Sequence, residues 1–101
     1  MDSISKLMPE EIAVKLGAKA KALRLSAGWK RVTFAERAGV SEASLKRFEQ
    51  TGQASLELVL RVAMSLGRLS EFEGLLEPPP ARSIDELDQQ LKRPLPKRGL
   101  R

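Results

Sequence analysis

"FAERAGVSEASLKRFE", residues 34–49, reads as two helices with almost nothing between them. Gly39 suits the left-handed position just past a helix end. Ser41 is a good N-cap for a helix that starts at once. Val40 stands alone between them, apolar where an idle loop would be polar, and it can fill the corner between two helices. A turn this short holds the helices it joins at a fixed angle. The helix before it carries Phe34, Ala35 and Ala38 inward; the helix after it carries Leu45 and Phe48.

Upstream, Pro9 followed by Glu10 and Glu11 suits a helix start, with proline at the first position and acids at the positive end of the dipole. Ile12, Leu16, Ala20 and Leu23 recur at helical spacing and are expected to face the core. Gly17 interrupts this helix at about 1 kcal/mol against alanine, so it either permits close packing or is merely tolerated. Gly28 ends the helix, and Lys30 or Arg31 begins the next. Downstream of "QTGQA", Ser55 caps a fourth helix with Leu56, Val59, Leu60, Ala63, Met64 and Leu66 on a broad apolar face, stopped by Gly67. Ser70 and Glu73 have the spacing of a capping box for a fifth helix holding Phe72, Leu75 and Leu76.

Three prolines at 78–80 form a boundary that no helix crosses. Ser83 and Glu86 repeat the capping-box spacing, and Ile84, Leu87 and Leu91 follow on one stripe. The end, "KRPLPKRGLR", carries Lys92, Arg93, Lys97, Arg98 and Arg101 with no acid and is expected to be disordered alone. No segment alternates as a strand would. The expected architecture is all-α: an arm at 1–8, a five-helix domain at 9–76, a proline-rich linker at 77–82, and a short amphipathic helix with a flexible basic tail at 83–101.

Composition narrows the chemistry. The 101-residue chain has a formal charge of +5, no Cys and no His. It therefore has no disulfide, no thiolate, and neither the commonest general base nor the commonest metal ligand. No metal site or cofactor is expected. No two acidic residues face each other convincingly across a pocket, and no glycine-rich phosphate loop occurs, so an enzyme is not expected. No apolar run approaches the roughly 20 residues of a membrane span. The N-terminus lacks the basic-then-apolar order of a signal peptide, and a cytoplasmic protein is expected. Charge is uneven: from Lys15 to Arg47 nine basic residues stand against two acidic ones. That concentration suits a polyanion.

Two short helices joined by a tight glycine turn make a helix-turn-helix, whose second helix can enter the major groove of DNA. Residues 23–66 resemble the lambda-repressor-like, or Xre-type, family through "LRLSAGW", "FAERAGVS", "LKRFE" and "SLELVLRVAMSLG". The stretch "FEQTGQASLELVLRVAMSLG", with a short helix and basic tail after it, more loosely resembles HipB-type regulators, often encoded beside a kinase toxin. The resemblance implies roles by position. Glu42, Ala43, Lys46 and Arg47 would face base edges. Lys30, Arg31 and Ser44 would grip phosphates. The family's usual pair at the start of the second helix is Thr-Gln, so Lys30-Arg31 departs from it and leaves that helix without a good N-cap. Arg24 and Glu49 would form an ion pair, and Trp29 would take a core position. Lys15, Lys19 and Lys21 are either further phosphate contacts or a solvated face. Leu69, Phe72, Leu75 and Leu76 either close the monomer core or form a homodimer patch for an operator with an inverted repeat.

Two functions follow as expectations. One is a sequence-specific repressor that binds double-stranded DNA as a dimer. The other is an antitoxin-type interaction module that neutralises a kinase-like toxin and uses DNA binding for autoregulation.

Overall fold

The computed structural model describes residues 7–80 and 84–92, the latter without the side chains of Glu86, Leu87, Gln90 and Lys92. These residues form helices and turns, with no strand among them: α1 (Pro9–Ser26), α2 (Arg31–Ala38), α3 (Glu42–Thr51), α4 (Leu56–Ser65), α5 (Ser70–Glu73) and α6 (Ile84–Lys92). The Ser83 capping position, the basic residues Arg93, Lys97, Arg98 and Arg101, and the expected flexible tail lie outside the described residues. No described helix is long and apolar enough to cross a membrane.

Local chemistry sets the boundaries of the central helices. Gly39 takes φ 72°, and the Val40 N–H returns to the Ala35 carbonyl at 3.0 Å, closing the end of α2 as a Schellman turn does. Two residues later the Ser41 hydroxyl accepts the Ser44 N–H at 3.1 Å and starts α3. Ser55 does the same for α4 through the Leu58 N–H at 3.1 Å. The N-terminus of α2 has no side-chain cap, because Lys30 stands where a Ser or Thr would serve.

The core lies where α2, α3 and α4 meet. Phe34, Ala35 and Ala38 come from α2, Leu45 and Phe48 from α3, and Leu58, Val62 and Ala63 from α4. Phe34 and Leu45 are fully enclosed, and each contributes about 1.5–3 kcal/mol of burial. Trp29, Val40, Val59 and Leu66 close the edges. Trp29 is half-buried, with its ring centroid 5.6 Å from that of Phe34 and the Arg37 guanidinium 4.5 Å above it.

Three expectations need correction. The inward stripe of α1 is Gly17, Ala20 and Arg24, while Ile12 and Leu16 are exposed. The helix lies so close to α3 that a Cβ on Gly17 would run into the Phe48 carbonyl. Large side chains on that face would hold the helices apart, so small ones occupy it. In α4 the buried face is Leu58, Val62 and Ala63, whereas Leu56 and Met64 are exposed.

The third correction concerns the fifth helix. Leu69 already has helical dihedrals (φ −61°, ψ −31°) and takes the N-cap position, so Ser70 is the first residue of the helix rather than its cap. The helix stops at Glu73, and Leu75 and Leu76 fall in the turn beyond it. Leu76 has φ 64° and is fully exposed. Any patch formed by Leu69, Phe72, Leu75 and Leu76 is therefore made mostly of turn residues rather than of a regular helix face.

Candidate nucleic-acid interface

α3 is a two-sided helix. Leu45, Phe48 and Glu49 are buried against the body. Glu42, Ala43, Lys46 and Arg47, on the rest of its circumference, are exposed together with Ser44 and Gln50. The sequence-derived base-facing residues thus share the solvent side of one helix. Ser44 is drawn into the cap, its hydroxyl accepting the Ser41 hydroxyl at 2.8 Å.

The inner side of α3 carries an ion cluster. The Glu49 carboxylate accepts from Arg24 Nε at 2.8 Å and from Arg24 Nη2 at 3.0 Å, a bidentate pairing. It also accepts from Arg31 Nε at 3.1 Å. Arg24 Nη1 donates to the Trp29 carbonyl at 3.1 Å. The Glu49 side chain has no exposure, and among the described residues no buried side-chain polar atom lacks a partner. A buried carboxylate needs such pairing, since desolvation without it costs several kcal/mol. The cluster joins α1, the start of α2, and α3 through one carboxylate.

Its charge does not cancel. Two guanidinium groups share one carboxylate, so a positive charge remains. Arg24 is 7% exposed at its side chain and Arg31 22%, so the surplus reaches solvent at Arg31. Lys30 is exposed beside it, and the backbone N–H groups at the uncapped start of α2 add their own positive field. A basic spot therefore flanks α3. Lys15, Lys19 and Lys21 are exposed along α1.

Two contacts at this site have no counterpart among the sequence-derived roles. Arg31 is a partner of Glu49 as well as a candidate phosphate group. Gln53, never singled out, holds Arg47: its side-chain Oε1 accepts Arg47 Nε at 2.9 Å and also an Arg47 Nη2 hydrogen. The available signal was Gly52, whose φ of 81° reverses the chain after α3 and returns residue 53 toward residue 47. Among the described residues no group of three or more Asp or Glu side chains is arranged to hold a metal ion.

No protein-family model, curated protein or solved structure matches this chain. What defines the site is its own geometry: a helix fixed on one side by a core and an ion cluster, exposed on the other with basic and hydrogen-bonding groups.

Proposed function

We propose that the chain is a sequence-specific regulator of transcription, a lambda-repressor-like helix-turn-helix protein that places α3 in the major groove of double-stranded DNA. The observation that carries this reading is the division of α3 into a buried face and an exposed, partly basic one, flanked by Lys30 and Arg31. The major groove, about 12 Å wide, admits a helix presented in this way. Arg47 then forks onto guanine O6 and N7, Glu42 accepts from cytosine N4, and Ala43 meets a thymine methyl. Lys30, Arg31 and Ser44 grip phosphates, which set register without reading sequence. One such helix covers one half-site, so a homodimer on an inverted repeat, with half-sites about 34 Å apart, completes the reading; occupancy of the site represses.

The test is selection from a randomised DNA pool, followed by titration of the enriched duplex at several salt concentrations. The enriched duplex should bind at least about 10³-fold more tightly than random DNA. Arg47→Ala should cost about 1–3 kcal/mol in specific binding and relax one base position. Lys30→Ala should weaken all sequences alike and reduce the salt slope by about one. Equal loss of specific and non-specific affinity in Arg47→Ala would remove Arg47 from base readout. Binding that never discriminates between sequences would remove the repressor reading altogether.

A second reading is favoured by α6, where Ile84 and Leu91 are exposed on a nine-residue helix. So short a helix is unstable in water without a surface to cover it. The antitoxin reading supplies that surface as a kinase-like toxin. Removing residues 81–101 should then abolish capture of the toxin while leaving DNA selection intact.

A further inference from the structure

We infer that Gln53 is a specificity-determining positioning residue, one that holds the Arg47 guanidinium ready for a guanine without itself reading DNA. This rests on the DNA reading above. It adds a residue from the turn after α3 to the side chains of α3 itself.

The turn is built to keep Gln53 in place. Thr51 Oγ1 donates to the Arg47 carbonyl at 2.7 Å and accepts the Gln53 N–H at 3.1 Å. Between them the Gly52 N–H donates to the Phe48 carbonyl at 2.8 Å. Gly52 also lies against α1 so closely that a Cβ there would run into the Ala13 backbone. The residue that bends the chain is thus wedged between two helices, and Gln53 leaves it in a fixed direction.

The hydrogen-bond pattern shows what the latch leaves free. Gln53 Oε1 takes the Nε hydrogen and one Nη2 hydrogen, which is one edge of the guanidinium fork. The other edge, formed by Nη1 and the second Nη2 hydrogen, carries no hydrogen bond. A guanidinium has five N–H donors in a rigid plane, so fixing one edge orients the other. The free edge is the one that can donate to guanine O6 and N7 together. A long, exposed arginine otherwise loses much of its rotamer freedom on binding, which costs affinity up to about tenfold per side chain. With the latch in place, part of that ordering precedes the encounter with DNA.

The experiment combines a free-protein measurement with a DNA measurement. In the free protein, the Arg47 Nε–H signal in ¹⁵N NMR should be dispersed and protected from solvent exchange. In Gln53→Ala it should move to the averaged position of an unrestrained arginine, with the melting temperature unchanged. In the randomised DNA pool, Gln53→Ala should reduce the guanine preference at the Arg47 position by about 3- to 10-fold while leaving affinity for random DNA unaltered. Gln53→Glu, whose carboxylate accepts the same two donors, should keep that preference despite weaker overall binding beside phosphates.

The inference is overturned if Gln53→Ala preserves the full guanine preference while Arg47→Ala abolishes it; the DNA reading then stands without the latch. It is equally overturned if Gln53→Ala weakens all sequences by one factor, because Gln53 would then be a phosphate contact. If neither wild type nor any variant enriches a sequence, the latch and the DNA reading fall together. The NMR signal would still show whether the two side chains are joined.

Discussion

The seam between α1 and α3 and the segment after Gly67 solve opposite problems. At the seam, contact is made by small residues and a carboxylate. Gly17, Ala20 and Gly52 let the backbones nearly touch, and Glu49 ties Arg24 and Arg31 together out of water. After Gly67 the residues are larger and more apolar, yet α5 buries none of its residues, and Leu69, Leu75 and Leu76 are exposed. Hydrophobicity alone therefore does not decide where this chain packs closely. Shape and charge pairing do that at the seam, while Leu69, Leu75 and Leu76 at the other end are left uncovered.

The largest expected effect is at the carboxylate. Glu49→Ala strands the Arg24 guanidinium in a buried site, which typically costs about 3–5 kcal/mol. A small domain has only about 5–15 kcal/mol in total, so much of its stability would go. Glu57, in an exposed pair with Arg61 at 3.0 Å, supplies the control. Glu57→Ala should change stability by less than about 1 kcal/mol. Urea unfolding of both variants measures the contrast. Similar small losses would mean that the cluster is far wetter than its geometry indicates.

The next test sets two effects of opposite sign against each other. Replacing Gly17 by alanine inside a helix should stabilise by about 1 kcal/mol on propensity alone. The added Cβ, however, meets the Phe48 carbonyl, and a backbone carbonyl cannot rotate aside as a flexible side chain would. Overpacking of this kind costs about 1–3 kcal/mol, sometimes more. Gly17→Ala should therefore destabilise by up to roughly 2 kcal/mol net, the difference of those two terms. A higher melting temperature for this variant would show that α1 can move off α3 at little cost, and the contrast between the two regions would weaken.

These two positions also show what a sequence yields and what it withholds. The turn at Gly39, Val40 and Ser41 was legible because its chemistry is local: a left-handed glycine, a corner residue and a hydroxyl cap lie within three residues. Ser55 was legible for the same reason. The inward stripe of α1 was legible only in part, at Ala20. Counting apolar residues also favours Ile12 and Leu16, which are exposed, whereas the approach of α3 selects Gly17 beside Ala20, the residues with the least side chain to displace. The role of Arg31 toward Glu49 and the latch of Gln53 on Arg47 join residues 18 and six positions apart across turns. Each pair reaches across a break between elements, where the helical period no longer relates one residue to the other, so no periodicity announces them. Ser70 misled because its spacing to Glu73 fits a capping box, yet the chain enters helical dihedrals one residue earlier, at Leu69.

Leu76 gives a smaller effect. Its φ of 64° is unfavourable for a branched side chain by roughly 1–2 kcal/mol, while nothing in the body rewards the side chain. Glycine removes that strain but adds freedom to the unfolded chain, worth about 0.4–1 kcal/mol in the other direction. Leu76→Gly should raise stability by up to about 1.6 kcal/mol in dilute solution, read by urea unfolding. A loss instead would mean that the Leu76 side chain makes contacts in solution that stabilise this turn.

The smallest effect on the folded chain, and the one that best separates the two regions, belongs to Leu75→Ser. Leu75 is 59% exposed and outside any helix, so in an isolated chain its replacement should shift stability by less than about 0.5 kcal/mol. A homodimer built on Leu69, Phe72, Leu75 and Leu76 makes a different statement. The wild-type melting temperature would then rise with protein concentration, because binding to the folded state stabilises it by mass action. Leu75→Ser would remove that rise while leaving the low-concentration value in place. Analytical ultracentrifugation should show wild type moving from monomer toward dimer as concentration increases, with the variant lagging behind. On DNA, the same variant should retain the half-site preference set by α3 and lose the gain from a second half-site. If wild type stays monomeric at high concentration and binds a full inverted repeat one to one, the exposed leucines have no self-association role. The difference between the packed seam and the open end would then be one of packing alone.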